Sequence, residues 1–175
     1  MTETENRKRI LKARALVLAR ESVAKVDEAV IEVVEFSLAT ERYGIETEYV
    51  CEVFPFKELT RVPCTPAFFL GIVNVRGRII AVLDLKKFFD LPARGLQDLH
   101  KVIILHSAQM DLGVLADDVV GVHSVPISQL QASLPTLSGV GQQYLRGVTG
   151  ERLVVLDAAR ILNDPKIIVQ EEVER

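Results

Sequence analysis

The chain has no tryptophan, only 6% aromatic residues, two cysteines among its 175 residues and no acidic residue between Arg7 and Arg20. Few aromatics leave little for base stacking, and a net charge of -3 argues against a nucleic-acid binder, which needs a basic surface to displace phosphate counterions. Cys51 and Cys64 have no CxxC spacing and are too few for a disulfide framework, so they read as ordinary thiols of a reducing compartment, the cytoplasm. No apolar run approaches the roughly 20 residues of a membrane helix, and the opening MTETENRKR lacks the apolar stretch of a signal peptide. The expectation is a protein neither secreted nor membrane-spanning.

Catalytic constellations are equally scarce. Ser107, Ser124, Ser128, Ser133 and Ser138 lie in no G-x-S-x-G elbow, and no HExxH, Walker A or EF-hand loop occurs. Gly139-Val140-Gly141 opens like a dinucleotide fingerprint, but Tyr144 stands where the third glycine belongs, so the tract reads as a loop. His100, His106 and His123 could meet as metal ligands only if neighbouring strands aligned them, and no Cys, Asp or Glu accompanies them at ligand spacing. Asp117 and Asp118 are adjacent on a strand and face opposite ways, which excludes a shared acid–base site. No catalytic residue, metal or cofactor is expected.

What is there is a chain 49% hydrophobic, too apolar to be disordered, in two unlike parts. Up to about residue 28, Arg7, Lys8, Arg9, Lys12, Arg14 and Arg20 alternate with apolar residues at helical spacing, with neither Gly nor Pro. The segment reads as a basic amphipathic helix that docks on a partner or an anionic surface, or as a solvated extension. From Val30 onward, short runs rich in Val, Ile and Leu predict strands at 30–39, 49–54, 71–75, 78–83, 101–106, 113–115, 119–125, 145–149 and 153–156. Tight connections fall at 40–43, 76–77, 108–111 and 150–151. Asp84 and Asp157 each precede a short helix-compatible run that they can cap.

The chain also repeats itself. FSLATERYGIETEYVCEV (36–53) aligns without a gap on LHSAQMDLGVLADDVVGV (105–122), and GRIIAVLDLKKFF (77–89) on GERLVVLDAARIL (150–162). Two copies of about 70 residues are too few for a solenoid, so each should be a compact unit of four or five antiparallel strands closed as a small barrel. The resulting fold class is mainly β, with two barrels packed through an apolar layer. The division expected is an extension at 1–28, a domain at 29–164 and a tail at 165–175. Within the domain, one subdomain spans about 30–92, with the C-terminal segment able to cross over to it, and a second spans about 98–156.

One feature suits contact better than catalysis. Arg76 and Gly77 form the tip of the hairpin 71–83, flanked by Asn74 and Arg78, where a guanidinium fork can meet carboxylates bidentately; a plain surface arginine in a turn fits the local pattern equally. Glu52, the lone acid between Cys51 and Val53, should face away from its strand's core side.

These residues carry a resemblance. The run from Glu41 to Phe89, with its G-x-x-N-h-R-G-x-h-h-x-h-h-D-L string (h, apolar), resembles the first half of the CheW family of bacterial chemotaxis coupling proteins, and LGVLADDVVGV and YLRGVTGERLVVLDAARIL resemble its second half. The likeness covers about 30–162; Val75 stands where the family usually has Leu. It implies two SH3-like five-stranded barrels around a shared apolar interface, and a non-enzymatic adaptor that bridges the cytoplasmic tip of chemoreceptors to the regulatory domain of the histidine kinase CheA. By the same resemblance the receptor tip lies in the groove between the barrels, where Val50, Glu52 and Arg76 occupy matching positions, and the barrel surfaces contact the kinase in rings or arrays. The membrane is then reached only through receptors. Other readings are a coupling module of a non-flagellar chemosensory pathway, a kinase fragment, disfavoured because neither ATP-binding Gly motifs nor a phosphotransfer helix is present, and a small-barrel nucleic-acid binder.

Overall fold

The computed structural model describes residues 28–56, 59–91, 100–132 and 142–168. The basic segment before Glu28, the boundary at Pro92 and Gly95, and the Gly139 to Gly141 loop lie outside them. Among the described residues there are ten strands: β1 (Val30–Leu38), β2 (Glu41–Glu46), β3 (Val50–Pro55), β4 (Phe69–Val75), β5 (Arg78–Leu83), β6 (Lys101–His106), β7 (Asp111–Ala116), β8 (Asp118–Pro126), β9 (Leu145–Val148) and β10 (Leu153–Leu156). Two short helices, α1 (Leu85–Phe88) and α2 (Ala158–Leu162), follow β5 and β10. Each is capped as its sequence predicts: the Asp84 carboxylate accepts from the Lys86 N–H at 3.0 Å, and that of Asp157 from the Arg160 N–H at 3.0 Å.

Nine of these strands lie where the apolar runs place them; β2 does not. Its sequence ERYGIE opens with two charges and contains a glycine, and reads as a turn. The turn is instead at Ala39 and Thr40, with Ala39 at φ 57°, and β2 runs antiparallel to β1 with Phe36 opposite Tyr43.

The strands form two five-stranded sheets, in the orders β8-β1-β2-β10-β9 and β3-β6-β7-β5-β4. Sheet membership corrects the division of the chain near 92–98. If the second copy of the repeat is β6 to β10, each sheet takes strands one and two from one copy and strands three, four and five from the other. The copies have exchanged halves reciprocally. The registers agree residue for residue under the sequence alignment. Val155 opposes Gly44 in the parallel β10–β2 pair, and Val82 opposes Gly113 in the parallel β5–β7 pair. A β-bulge falls between Val50 and Glu52 in one copy and opposite the Glu35/Phe36 step, at Val120, in the other. The physical reason is that parallel neighbours require a crossover, and the chain supplies it by passing to the other sheet after β2 and after β7.

Both sheets curl into barrels. Thr60, beyond β3, exchanges two backbone hydrogen bonds of 2.9 Å with Ile72 on β4, at the opposite sheet edge. Gln131, beyond β8, does the same with Val148 on β9, at 3.0 and 2.9 Å. Closure removes edges that would otherwise template pairing.

Strand alternation then sorts the apolar residues into three layers. Val102, Ile104, Leu115, Val82 and Ile80 fill one barrel, and Val33, Val125, Leu153 and Val155 fill the other. The intervening positions, Phe36, Tyr43, Ile45, Leu83, Ile103, Leu105, Leu112, Val114, Val154 and Leu156, build one central cluster between the sheets, joined by Leu85, Phe89, Ile161 and Leu162. This is why β6, β7 and β10 read as continuous apolar runs: their two faces serve two cores. Burial pushes the Tyr43 phenol well above its ordinary range. Glu35 is a buried charge on the inner side of its barrel. Its carboxylate takes Arg42 Nε at 2.6 Å and Nη2 at 3.1 Å, and that hydrogen bonding holds its pKa below the usual value.

Candidate functional site

The tip between β4 and β5 is a two-residue connection, with Val75 opposite Arg78. Arg76 has φ 50° and Gly77 φ 84°, the pair of positive values that a type I′ hairpin turn requires. Asn74 ties the turn, its Oδ1 accepting the Gly77 N–H at 2.9 Å. Glycine, which has no Cβ, or asparagine, whose short polar side chain hydrogen-bonds locally, is the economical residue at the first turn position, because other side chains are crowded in left-handed backbone. An arginine held there is retained against local backbone preference, which draws attention to its side chain.

That side chain is 81% exposed and its Nη2 lies 3.0 Å from Glu52 Oε2 on β3. β3 and β4 are the outermost strands of their sheet, so only barrel closure brings the two groups together. Glu52 is 22% exposed, and it faces the core side of its strand, a correction to simple alternation. The bulge explains it. Cys51 is the extra residue and points to solvent, so Glu52 opposes buried Ile104 at the rim of the barrel interior.

Asn74, Arg76, Gly77 and Glu52 are thus linked through the turn hydrogen bond and the ion pair. Val50 lies on the other side of the bulge and packs against the central cluster. Beside the turn, Arg78 pairs with Asp111, whose other oxygen is 2.6 Å from His106 Nδ1. Ile79, directly opposite Asn74, is 72% exposed. Sequence reading missed Ile79 and Asp111. The available signal for Ile79 was the run Ile79-Ile80-Ala81-Val82, four apolar residues after a tight turn, whose alternation must leave one of the first two outside.

The arrangement presents an exposed cation, a half-buried carboxylate behind it and an exposed apolar side chain on the neighbouring strand. The histidines are dispersed. His100 is buried near Asp117, with Nδ1 3.2 Å from Oδ1, His106 sits on Asp111, and His123 lies 3.3 Å from Glu35. Among the described residues no three His, Cys, Asp or Glu side chains group closely enough to hold a metal ion. Asp117 receives Lys86 Nζ at 2.6 Å and the Ala39 N–H at 2.7 Å, whereas Asp118 is exposed and paired with Lys101.

The model of the CheW-like domain family matches residues 32–166. The chain belongs to this family. The chemotaxis protein CheW of Treponema pallidum is 29% identical over 149 residues, 81% of this chain and 88% of that protein. Protein FrzA of Myxococcus xanthus is 28% identical over 137 residues, 76% and 82% of the respective chains. Among solved structures, the scaffolding protein TtCheW from Thermoanaerobacter tengcongensis superposes with a TM-score of 0.69 at 28% identity, covering 79% of this chain and 91% of that one. The mainly β, two-barrel architecture is therefore the family's. The family match begins at Glu32 and leaves the basic leading segment outside it. Among the described residues no helix is long and apolar enough to cross a membrane.

Proposed function

We propose that this chain is a chemotaxis scaffold, a non-enzymatic adaptor joining the cytoplasmic tip of chemoreceptors to the regulatory domain of the histidine kinase CheA. The observation that carries the reading is the Arg76–Glu52 pair presented at a closed barrel rim within a domain of the CheW-like family. Val50, Glu52, Asn74, Arg76 and Gly77 are the proposed partner-binding residues. Arg76 supplies a fork that matches a partner carboxylate, Glu52 sets its direction, and Asn74 with Gly77 fixes the turn that holds both. A helical hairpin seated against exposed apolar side chains, with a few charges setting its register, meets such a surface well. Signalling then consists of a change in the relative orientation of receptor, adaptor and kinase that biases a two-state kinase.

The test is reconstitution of the full chain with receptor-bearing membranes and the histidine kinase. Co-sedimentation of all three, with kinase autophosphorylation under receptor control, is the expected result. Kinase output indifferent to the chain, or a turnover by the chain itself, overturns the adaptor reading. A second reading, a coupling module for a non-flagellar chemosensory pathway, draws on the likeness to FrzA. It is distinguished by which receptor restores control in the same assay.

A further inference from the structure

The β3-β6-β7-β5-β4 barrel carries a cavity at one end, of about 740 Å³, bounded by residues 59–70, α1 and the start of β6. That is the size of a small-molecule site. Its apolar lining includes Phe69 and Leu91 together with Leu59, Leu70 and Leu115, which belong to the barrel interior. The walls are tied to one another: Phe56 N–H donates to His100 O at 2.9 Å, Asp84 N–H to Phe68 O at 2.8 Å and Leu91 N–H to Lys86 O at 2.7 Å. None of the lining residues belongs to the Arg76–Glu52 surface.

Two polar side chains in this lining are more than nine-tenths buried, Lys86 at 8% exposure and His100 at 6%. Among the described residues Lys86 Nζ has one acceptor, Asp117 Oδ1 at 2.6 Å, although an ammonium carries three donors. Neither ring nitrogen of His100 has a hydrogen-bond partner; Nδ1 lies 3.2 Å from the same Asp117 oxygen but out of line for a bond. A buried imidazole left in that condition costs free energy and calls for a reason. The repeat shows that the fold does not supply one. The alignment, continued along β1 and β6, sets His100 on Ile31, and it sets Lys86 on Ala159. In the other barrel Ile31 packs against Val33, Val125, Leu153 and Val155. An apolar side chain therefore serves this position in the architecture, and the histidine and lysine answer to what the cavity holds.

We propose that this cavity binds a small carboxylic acid with an apolar body. The carboxylate accepts hydrogen bonds from Lys86 Nζ and from a His100 ring N–H, and the body lies on Leu59, Leu70 and Leu115. Charge favours an anion: the lining carries Arg61, Lys86 and Lys87 against Asp84 alone, and the Asp84 carboxylate is already committed to capping α1. Arg61 and Lys87 are exposed, so they draw an anion toward the site from solution. Burying a carboxylate is costly unless it is paired and hydrogen-bonded, and Lys86 with His100 supplies both. The ligand in turn satisfies the imidazole that the protein leaves without a partner.

The test titrates the full ¹⁵N-labelled chain with sodium octanoate and, as its match in length, octan-1-ol. Octanoate should shift the amide signals of Leu59, Leu70, Lys86, His100 and Leu115 saturably, with half-saturation at about 1 mM or below. Octan-1-ol should bind at least about 10-fold more weakly, since it lacks the charge. His100→Ile, which installs the side chain of the other copy, should weaken octanoate about 10-fold or more and leave the melting temperature unchanged or raised. Ala67→Trp, at an exposed position of the lining, should abolish binding by filling the cavity while leaving both polar groups in place. Its fold is checked by the signals of β6 and β7, and it decides the matter alone if His100→Ile does not fold. Shifts that fail to saturate, that spread over other surfaces, or that octan-1-ol reproduces at equal concentration overturn the proposal. Undiminished octanoate binding by either folded variant overturns it as well.

Discussion

Arg76→Asn separates what the β4–β5 turn costs from what it does. Arg76 occupies left-handed backbone at φ 50°, where a non-glycine residue sits against a penalty of about 1–2 kcal/mol that asparagine largely relieves. Asn followed by Gly77 is moreover the favoured pair for this turn. Against that gain stands the ion pair with Glu52. Because the Arg76 side chain is 81% exposed, the pair is screened and contributes about 0–1 kcal/mol. The balance is neutral to about 1 kcal/mol in favour of the variant, a rise in melting temperature of about 0–4 °C for a domain of this size. Co-sedimentation with receptor and kinase should nevertheless fall sharply, and Arg76→Lys should rescue it only in part, since an ammonium keeps the charge and loses the fork. Thermal and urea unfolding measure the first quantity, and three-component sedimentation the second. A variant destabilised by more than about 1 kcal/mol would show that the pair outweighs the turn strain. Undiminished assembly would remove Arg76 from the contact.

The duplicated architecture yields two further predictions. Gly113→Ala should cost about 1–3 kcal/mol, because a Cβ there would meet Val102 and Val82 side chains at 3.0 Å and the Ala81 carbonyl at 3.2 Å; Gly44→Ala, 3.3 Å from Val33, should cost less, and equal costs in urea titrations would refute the packing argument. Fragments split at residue 95 should fold only together, since each sheet needs strands from both copies; a cooperative melt from either fragment alone would refute the exchange.

Legibility in the sequence followed the local or non-local origin of each feature. The Asp84 and Asp157 caps and the Arg76–Gly77 tip depend on neighbours within three residues, and a reading of neighbours finds them. β2 is a strand by tertiary demand. Its Gly44 is spare of side chain because Val33 lies 3.3 Å from where a Cβ would be, a close approach that sequence alone reads as a turn signal. The side taken by Glu52 depends on a bulge, and a one-residue slip reverses every facing beyond it. Its counterpart Gly121, at φ 153°, marks the same bulge in the other copy, so the repeat itself held a clue.

The exchange of halves between copies left no trace in the residues, and the reason is instructive. Val155 meets Gly44 and Val82 meets Gly113, but the alignment makes Val82 the equivalent of Val155 and Gly44 that of Gly113, so pairing within each copy would present the same side chains to each other. What chooses between the two arrangements is the path of the chain after β2 and β7. From β2 only Thr47 to Tyr49 intervene before β3 enters the other sheet, and from β7 only Asp117 does before β8. Connections this short cannot carry a parallel crossover back to the same sheet, so both cross to the other barrel. Exchange has a consequence for an adaptor. The central cluster of Phe36, Leu105, Leu112 and Leu156 is crossed twice by continuous backbone, and neither barrel can leave the other without unfolding. A scaffold built this way holds its two barrel surfaces at a fixed mutual orientation, which is what the proposed transmission of an orientational signal between two partners demands.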